Sequence, residues 1–404
     1  MAGSWDLPYE GGAAVIESYA DSHLYLGLSV TKGQNFIYNG PGKAPRPYLH
    51  TPPGAGLTVW AMYHFFGYEN QLTLLMPQLL PLIMQTLSFV LITTISFMMT
   101  DSLLLSLFAT LIFTLLPMSL YLGHIDEISI LTLPFVLISL IAYLYYLRKP
   151  KLRYLILLLD ASAFSAFYCW TGFFILPVIG IHQLIHSKFK PNKKQILFII
   201  DCFLWELILI SLLLGQIYWA DNFSFNTLKE GFDRRVLGNT YVKVSIFEFL
   251  QIYLDGIKKW FTLPISLTAL FYLLVNIKNK LSVKKISINA QIIFVSLFIG
   301  LGPVLSIPYQ TIGPSKAIGN EYWSFNLIPF FTLSTVMVFK YLYNKFSNKR
   351  RYFYAIMVAF LMVAFLFGKD VIYNNYTQGG KYPPEKGHFI EIFSKWGNNY
   401  DYGN

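Results

Sequence analysis

Of 404 residues, 55% are hydrophobic and 18% aromatic, while only 13% are charged. A soluble domain of this length has no interior large enough for so much apolar surface, so the composition defines a polytopic membrane protein. The net charge of +10 invites a nucleic-acid partner, but the cations fall in short blocks between apolar segments, which is the pattern of membrane topology.

In chain order, residues 1–72 are polar. No signal peptide precedes residue 70. Helix-compatible stretches near 11–30 and 55–67 flank a Gly/Pro-rich middle, GPGKAPRPYLHTPPGAG. From residue 73 onward come ten apolar segments, at 73–98, 102–121, 128–147, 154–170, 171–187, 195–218, 260–277, 289–308, 322–343 and 351–368. Each approaches the length needed to cross a hydrocarbon core of roughly 30 Å. The pair around Trp170 reads either as two spans or as one long kinked helix, because Thr171-Gly172 is its only break. The expected fold class is all-α, with about ten transmembrane helices and a helical outer loop.

Between the sixth and seventh segments, residues 219–259 read as an amphipathic, interface-lying helix or helix pair, with LKEGFDRR followed by VSIFEFLQIYLDGIKKW. The tail, 369–404, is polar and aromatic. No internal repeat is visible, and no Gly-rich phosphate loop is present. Cys169 and Cys202 both fall inside apolar segments, which suits neither a disulfide nor a metal site.

Four loops carry 17 of the 31 Lys and Arg. The first holds Arg148, Lys149, Lys151 and Arg153, and the second Lys188, Lys190, Lys193 and Lys194. The third holds Lys278, Lys280, Lys284 and Lys285, and the fourth Lys340, Lys345, Lys349, Arg350 and Arg351. The positive-inside rule makes these loops cytoplasmic. With ten spans, 1–72, 122–127, 219–259, 309–321 and 369–404 then lie outside. Of the 21 acidic residues, 17 belong to that outer face; the exceptions are Asp101, Asp160, Asp201 and Glu206.

Several outer segments resemble those of a known superfamily. WDLPYEGGAAVIESYADSHLYLGLSVTKG followed by YLHTPPGAGLTVWAMYHFFG is similar to the first outer loop of the bacterial GT-C membrane glycosyltransferases, in their family 39, protein-mannosyltransferase-like branch. PMSLYLGHIDE resembles their second outer loop, and GNEYWSFNLIP a late loop before a helix. The matches keep the family's order from residue 5 to about 330. The resemblance implies an inverting transferase on the outer face of a bacterial plasma membrane. Its donor would be a polyprenyl-phosphate-linked sugar, and its acceptor a lipid, glycan or protein. It also implies a helix ahead of Trp5, which this chain is expected to lack.

The resemblance places the catalytic acid just before a small pair, here Glu10 before Gly11-Gly12, where the family more commonly has Asp. Such a carboxylate deprotonates or orients the attacking hydroxyl. Asp6 and Asp21 are the alternatives, and a solvated or helix-capping carboxylate is the bland one. Asp126 and Glu127, in a tight outer loop, could hold an acceptor or a divalent cation, Mg or Mn, that screens the carrier phosphate; a polar turn is the competing reading. No other cofactor is expected.

His50-Thr51-Pro52-Pro53 matches the family's His-Pro-Pro with Thr51 as a departure; its prolines stiffen the start of the next helix, and His50 is a candidate near the acceptor. Asn320 stands where the family usually has His, beside Glu321 and Tyr322. Arg234 and Arg235, with Lys243, Lys258 and Lys259 as alternatives, could neutralise the leaving phosphate or meet anionic lipid headgroups. Asp160, Asp201 and Glu206 lie inside apolar segments, where structural hydrogen bonding or a position near the interface is the bland expectation. They keep a second class open, a secondary transporter, although its repeated halves and broken helices are not seen. A lipid-linked polysaccharide polymerase or ligase is the third reading.

Overall fold

The structure is a computed structural model. It describes residues 10–37, 46–48, 51–67, 76–122, 130–221, 225–226, 228–229, 245–281, 287–306 and 321–378. The first outer segment holds α1 (Glu10–Leu26), the single turn α2 (Leu28–Thr31) and α3 (Gly54–Phe66). A two-residue antiparallel ladder, β1 (Phe36–Ile37) on β2 (Arg46–Pro47), adds the one strand pair among the described residues to an otherwise helical chain.

The bundle follows: α4 (Met76–Thr100), α5 (Leu103–Leu115), α6 (Pro117–Leu122), α7 (Leu133–Arg148), α8 (Leu152–Tyr168), α9 (Ile175–His186) and α10 (Lys193–Ala220). After it come α11 (Ile246–Phe261), α12 (Leu263–Leu281), α13 (Ile288–Ser306), α14 (Ile328–Lys345) and α15 (Arg350–Gln378). Polar residues mark the starts. Asn192 and Ser245 each form a reciprocal capping box, with Gln195 and Glu248 respectively, which satisfies amide donors that the first turn leaves open. Ser102 caps α5.

Helices occupy all ten apolar segments. Six helical stretches are long and apolar enough to cross a membrane unaided: Leu79–Thr100, Ile130–Arg148, Lys193–Ala220, Ile288–Ser306, Ser324–Lys345 and Arg350–Tyr373. A bent pair, α11 with α12, makes a seventh if counted together. At 13 residues, α5 is about 20 Å long, too short to cross alone. The region around Trp170 is two helices, not one kinked rod. A 3-10 turn, Trp170–Phe174, separates α8 from α9, and Gly172 lies so close to Ser165 and Ala166 that a Cβ there would collide with backbone.

The amphipathic segment is α11. It meets α12 at 112° through Thr262, whose φ is 57°. Phe249, Tyr253 and Trp260 are buried against the bundle, while Phe247, Leu250 and Leu254 stay exposed on an adjacent stripe and Glu248, Asp255 and Lys258 fill the rest. A helix with a protein face, a bare apolar edge and a charged face suits an interface better than a span.

One end of the bundle is held by cations. Arg148 donates to Met98 O at 2.7 Å, and Lys340 and Asn289 donate to Met99 O at 2.8 and 2.9 Å. These donors come from α7, α14 and α13 and satisfy carbonyls that the last turn of α4 leaves open. Basic loops far apart in sequence therefore meet at the same end of the bundle. Cys169 and Cys202 are buried and not joined in a disulfide.

Candidate functional site

The opposite end carries the first outer segment. α1 and α3 pack closely because Gly56 has no side chain: a Cβ there would stand 2.5 Å from Asn35 Oδ1 and 2.7 Å from Tyr19 Cβ. Ile16 and Ala20 of α1 and Val59 and Tyr63 of α3 share a core with Leu80 of α4 and Leu131. Polar ties lock the intervening chain. Asn35 Nδ2 donates to Thr51 Oγ1 at 3.3 Å and Pro52 O at 3.2 Å, and His23 Nδ1 lies 2.9 Å from Thr31 Oγ1. His23 is 1% exposed. Burial pushes its imidazole down from 6.5 to about 4, with the Asn35 side chain opposing. It is therefore neutral near pH 7.

The segment is also pinned to the bundle. Thr58 Oγ1 and Tyr168 OH are 3.0 Å apart, and Gly54 sits against Phe167. Gln216 Nε2 donates to Lys32 O at 3.1 Å, and the Lys32 ammonium lies over the Trp219 ring at 4.7 Å. Below this contact, Pro52, Pro53, Phe164, Phe167, Leu212 and Leu213 line an apolar groove of about 400 Å3 between α8 and α10, with Gln216 among its few polar groups.

The other outer segments are anchored beside it. Residues 321–327 form a 3-10 turn leading into α14. There Ser324 Oγ is 3.3 Å from Tyr253 OH of α11, and Asn326 Oδ1 accepts from Thr132 Oγ1 at 3.3 Å. Leu327 seats on Gly300 of α13. The flanks of the Asp126-Glu127 loop and of the Asn320-Glu321-Tyr322 segment thus converge, with α11 alongside.

The candidate residues divide accordingly. Glu10 is the first residue of α1; Glu321 and Tyr322 open the 3-10 turn. These three are placed by their backbone. Asp21 is half-buried; it lies eleven positions along α1 from Glu10, a backbone rise of about 16 Å. Lys258 pairs with Asp255 at 2.9 Å, both well exposed, and Lys259 lies over Trp260 at 4.4 Å. Asp6, His50, Asp126, Glu127, Arg234, Arg235, Lys243 and Asn320 lie outside the described residues. Among the described residues no group of three or more His, Cys, Asp or Glu could hold a metal ion.

Sequence reasoning passed over Lys32, Trp219 and Gln216, whose meeting joins segments 184 positions apart; no local signal marks it. It also expected hydrogen bonding for the intramembrane acids. Glu206 is 4% exposed, yet among the described residues neither carboxylate oxygen has a hydrogen-bond partner. Asp201 is half-buried and Asp160 exposed.

No family model matches this chain, and no curated protein does. Among solved structures, it is similar to the oligosaccharyltransferase of the archaeon Archaeoglobus fulgidus in its apo form. The TM-score is 0.58, over 93% of this chain and 52% of that one, at 12% identity. The chain thus spans about half the length of that protein. At so low an identity the likeness is one of fold alone: the chain is a helical, multi-pass membrane protein that shares its fold with about half of that longer protein.

Proposed function

We propose that the chain is an inverting, polyprenyl-phosphate-sugar-dependent glycosyltransferase of the protein-mannosyltransferase-like kind. It takes one sugar from the carrier and transfers it to a lipid, glycan or protein acceptor on the outer face of a bacterial plasma membrane. In this reading all ten apolar segments cross the bilayer between residues 73 and 368, and 1–72 and 369–404 lie outside. Glu10 is the base that takes the acceptor proton, with Asp6 as its nearest alternative. Arg234, Arg235, Lys258 or Lys259, with Asn320, Glu321 and Tyr322, receive the carrier phosphate, and His50 lies near the acceptor. Asp126 and Glu127 hold the acceptor or a divalent cation; no step is routed through a metal.

The observation that carries this reading is the docking of the α1–α3 segment at the end of the bundle away from the Arg148–Lys340 cluster, with an apolar groove directly beneath it. A lipid-linked donor needs such a pairing of a polar, acid-bearing roof with a greasy slot at membrane depth. The likeness in fold to an oligosaccharyltransferase supports the same class. Glu206, buried without a hydrogen-bond partner among the described residues, is what a transporter would use instead.

Membranes carrying the chain, given a radiolabelled polyprenyl-phosphate sugar, decide between them. Transfer or hydrolysis that disappears with Glu10→Gln establishes the transferase and its base. Activity indifferent to that change moves the base to Asp6 or Asp21. Silence across several sugars in membranes that hold folded chain overturns the reading and leaves the transporter.

A further inference from the structure

In the ten-span reading, on which this inference rests, α8 crosses the bilayer, and it exposes a carboxylate, Asp160, where a membrane protein can least tolerate one. Two ring stacks give its register on α7. Phe135 lies against Phe164 and Tyr168, at 5.4 and 5.7 Å, and Tyr145 against Tyr154 at 5.1 Å. The helices therefore run antiparallel, and Asp160 stands level with Leu140, near the middle of the Ile130–Arg148 span. Asp160 is exposed, and its stripe continues through Ile156, Leu157 and Phe164, which are 49%, 42% and 54% exposed. From either end of α8 it is eight residues, or about 12 Å, too far for so short a side chain to reach headgroups.

A carboxylate facing hydrocarbon is costly, and such groups normally face protein or water and pair with a donor. Within the described residues none of the chain's own cations serves. In every span among them Lys and Arg occupy the first or last two turns, as with Arg148, Lys193, Lys340, Arg350 and Lys369. Arg153, nearest in sequence, donates to the Tyr154 hydroxyl at 2.8 Å.

We propose that the outward stripe of α8 docks a transmembrane helix of a different membrane protein, one carrying a Lys or Arg at mid-bilayer depth that pairs with Asp160. Charge complementarity selects the occupant. A lipid chain offers no donor, and a second copy of this chain offers no cation at that depth in any described span. Apolar residues of the partner helix pack on Ile156, Leu157 and Phe164, and the buried pair supplies register and orientation. Phe164 also lines the groove beneath the first outer segment, so the surface borders the proposed donor slot there, while Ile156, Leu157 and Asp160 lie outside that lining.

The test uses the full chain in proteoliposomes and a dansyl-labelled synthetic transmembrane helix of Leu and Ala with one central Lys, beside the same helix with central Leu. Energy transfer from the protein's tryptophans reports binding; Trp205, whose indole donates to Leu159 O at 3.2 Å, lies against α8. The Lys helix should bind at about tenfold lower concentration than the Leu helix. Asp160→Leu should erase that difference and Asp160→Glu should keep it. Equal binding of both helices, or undiminished preference in Asp160→Leu, overturns the proposal. So does Asp160-dependent self-association without peptide, which would make a second copy the occupant. Two further readings guard against other roles. Asp160→Leu should melt in detergent no lower than the unmodified chain; a lower melting temperature assigns Asp160 an internal partner instead. Asp160→Cys should resist a membrane-impermeant maleimide; fast labelling means a water-filled cleft and overturns the docking surface.

Discussion

The Thr132 hydroxyl donates to the Asn326 side-chain oxygen at 3.3 Å, joining positions 194 residues apart in the buried floor beneath two outer loops. Thr132 lies five residues beyond Glu127, and Asn326 five beyond Glu321. A single contact therefore ties together the described flanks of two segments that carry candidate acids.

Asn326→Ala removes the acceptor from a site that is 1% exposed. The expected loss is about 1–2 kcal/mol of stability, the usual cost of breaking a buried hydrogen bond. Thermal unfolding in detergent measures it. If the two loops share one site, transfer activity falls by more than the unfolded fraction explains.

Gly172→Ala puts a methyl into the backbone of Ser165 and Ala166. The turn between α8 and α9 cannot widen without separating two packed helices, so the expected cost is about 2–4 kcal/mol, in the range of severe backbone and overpacking changes. Fluorescence-detected size exclusion should show most of the variant aggregated. Gly215→Ala is the control, because nothing lies within 4 Å of a Cβ there.

His23 makes the first outer segment sensitive to acid. Its folded pKa is lowered to about 4 from 6.5, so between those values the unfolded chain binds the proton and the folded chain does not. Stability from this group is intact above about pH 6.5 and is lost as pH falls through that window toward 4, by up to about 3 kcal/mol at 1.36 kcal/mol per unit. Melting curves from pH 7 to 4.5 should slope downward in the unmodified chain and less steeply in His23→Gln. An equal slope in both would remove His23 as the cause.

Gln216→Leu frees Lys32 O from its donor at a cost of about 1 kcal/mol. The turn at Gly33 should then lift from α10, and trypsin should cleave after Lys32 several-fold faster. Gly33→Ala should do the same by two routes, since Gly33 has φ 72° and a Cβ would stand 3.0 Å from Gln216 Nε2.

Much of the fold was legible because its signals are local. Apolar runs located the helices of the bundle, although one run, 102–121, holds two of them, α5 and α6. The α1 and α3 stretches and the amphipathic α11 were readable from periodicity. The count of spans was not, because α5 and the Trp170–His186 stretch are apolar yet short, and whether a short helix crosses depends on what it packs against. Of the candidate site, Glu10 was placed only as the first residue of a helix, and the resemblance that singled it out carries no geometry.

By itself the sequence determined the membrane class, the approximate positions of the apolar helices and the clustering of Lys and Arg in four loops, since each follows from the solvent preference of neighbouring residues; it did not mark the break between α5 and α6 or the run of α15 to Gln378. Only the tertiary structure decided that Lys32 meets Trp219, that Thr132 meets Asn326, that His23 is covered by the rest of the chain and that Asp160 is not. Hydropathy says that a side chain must leave water or face it. Which distant segment covers it is set by close packing between helix faces, and that is a property of the assembled bundle alone.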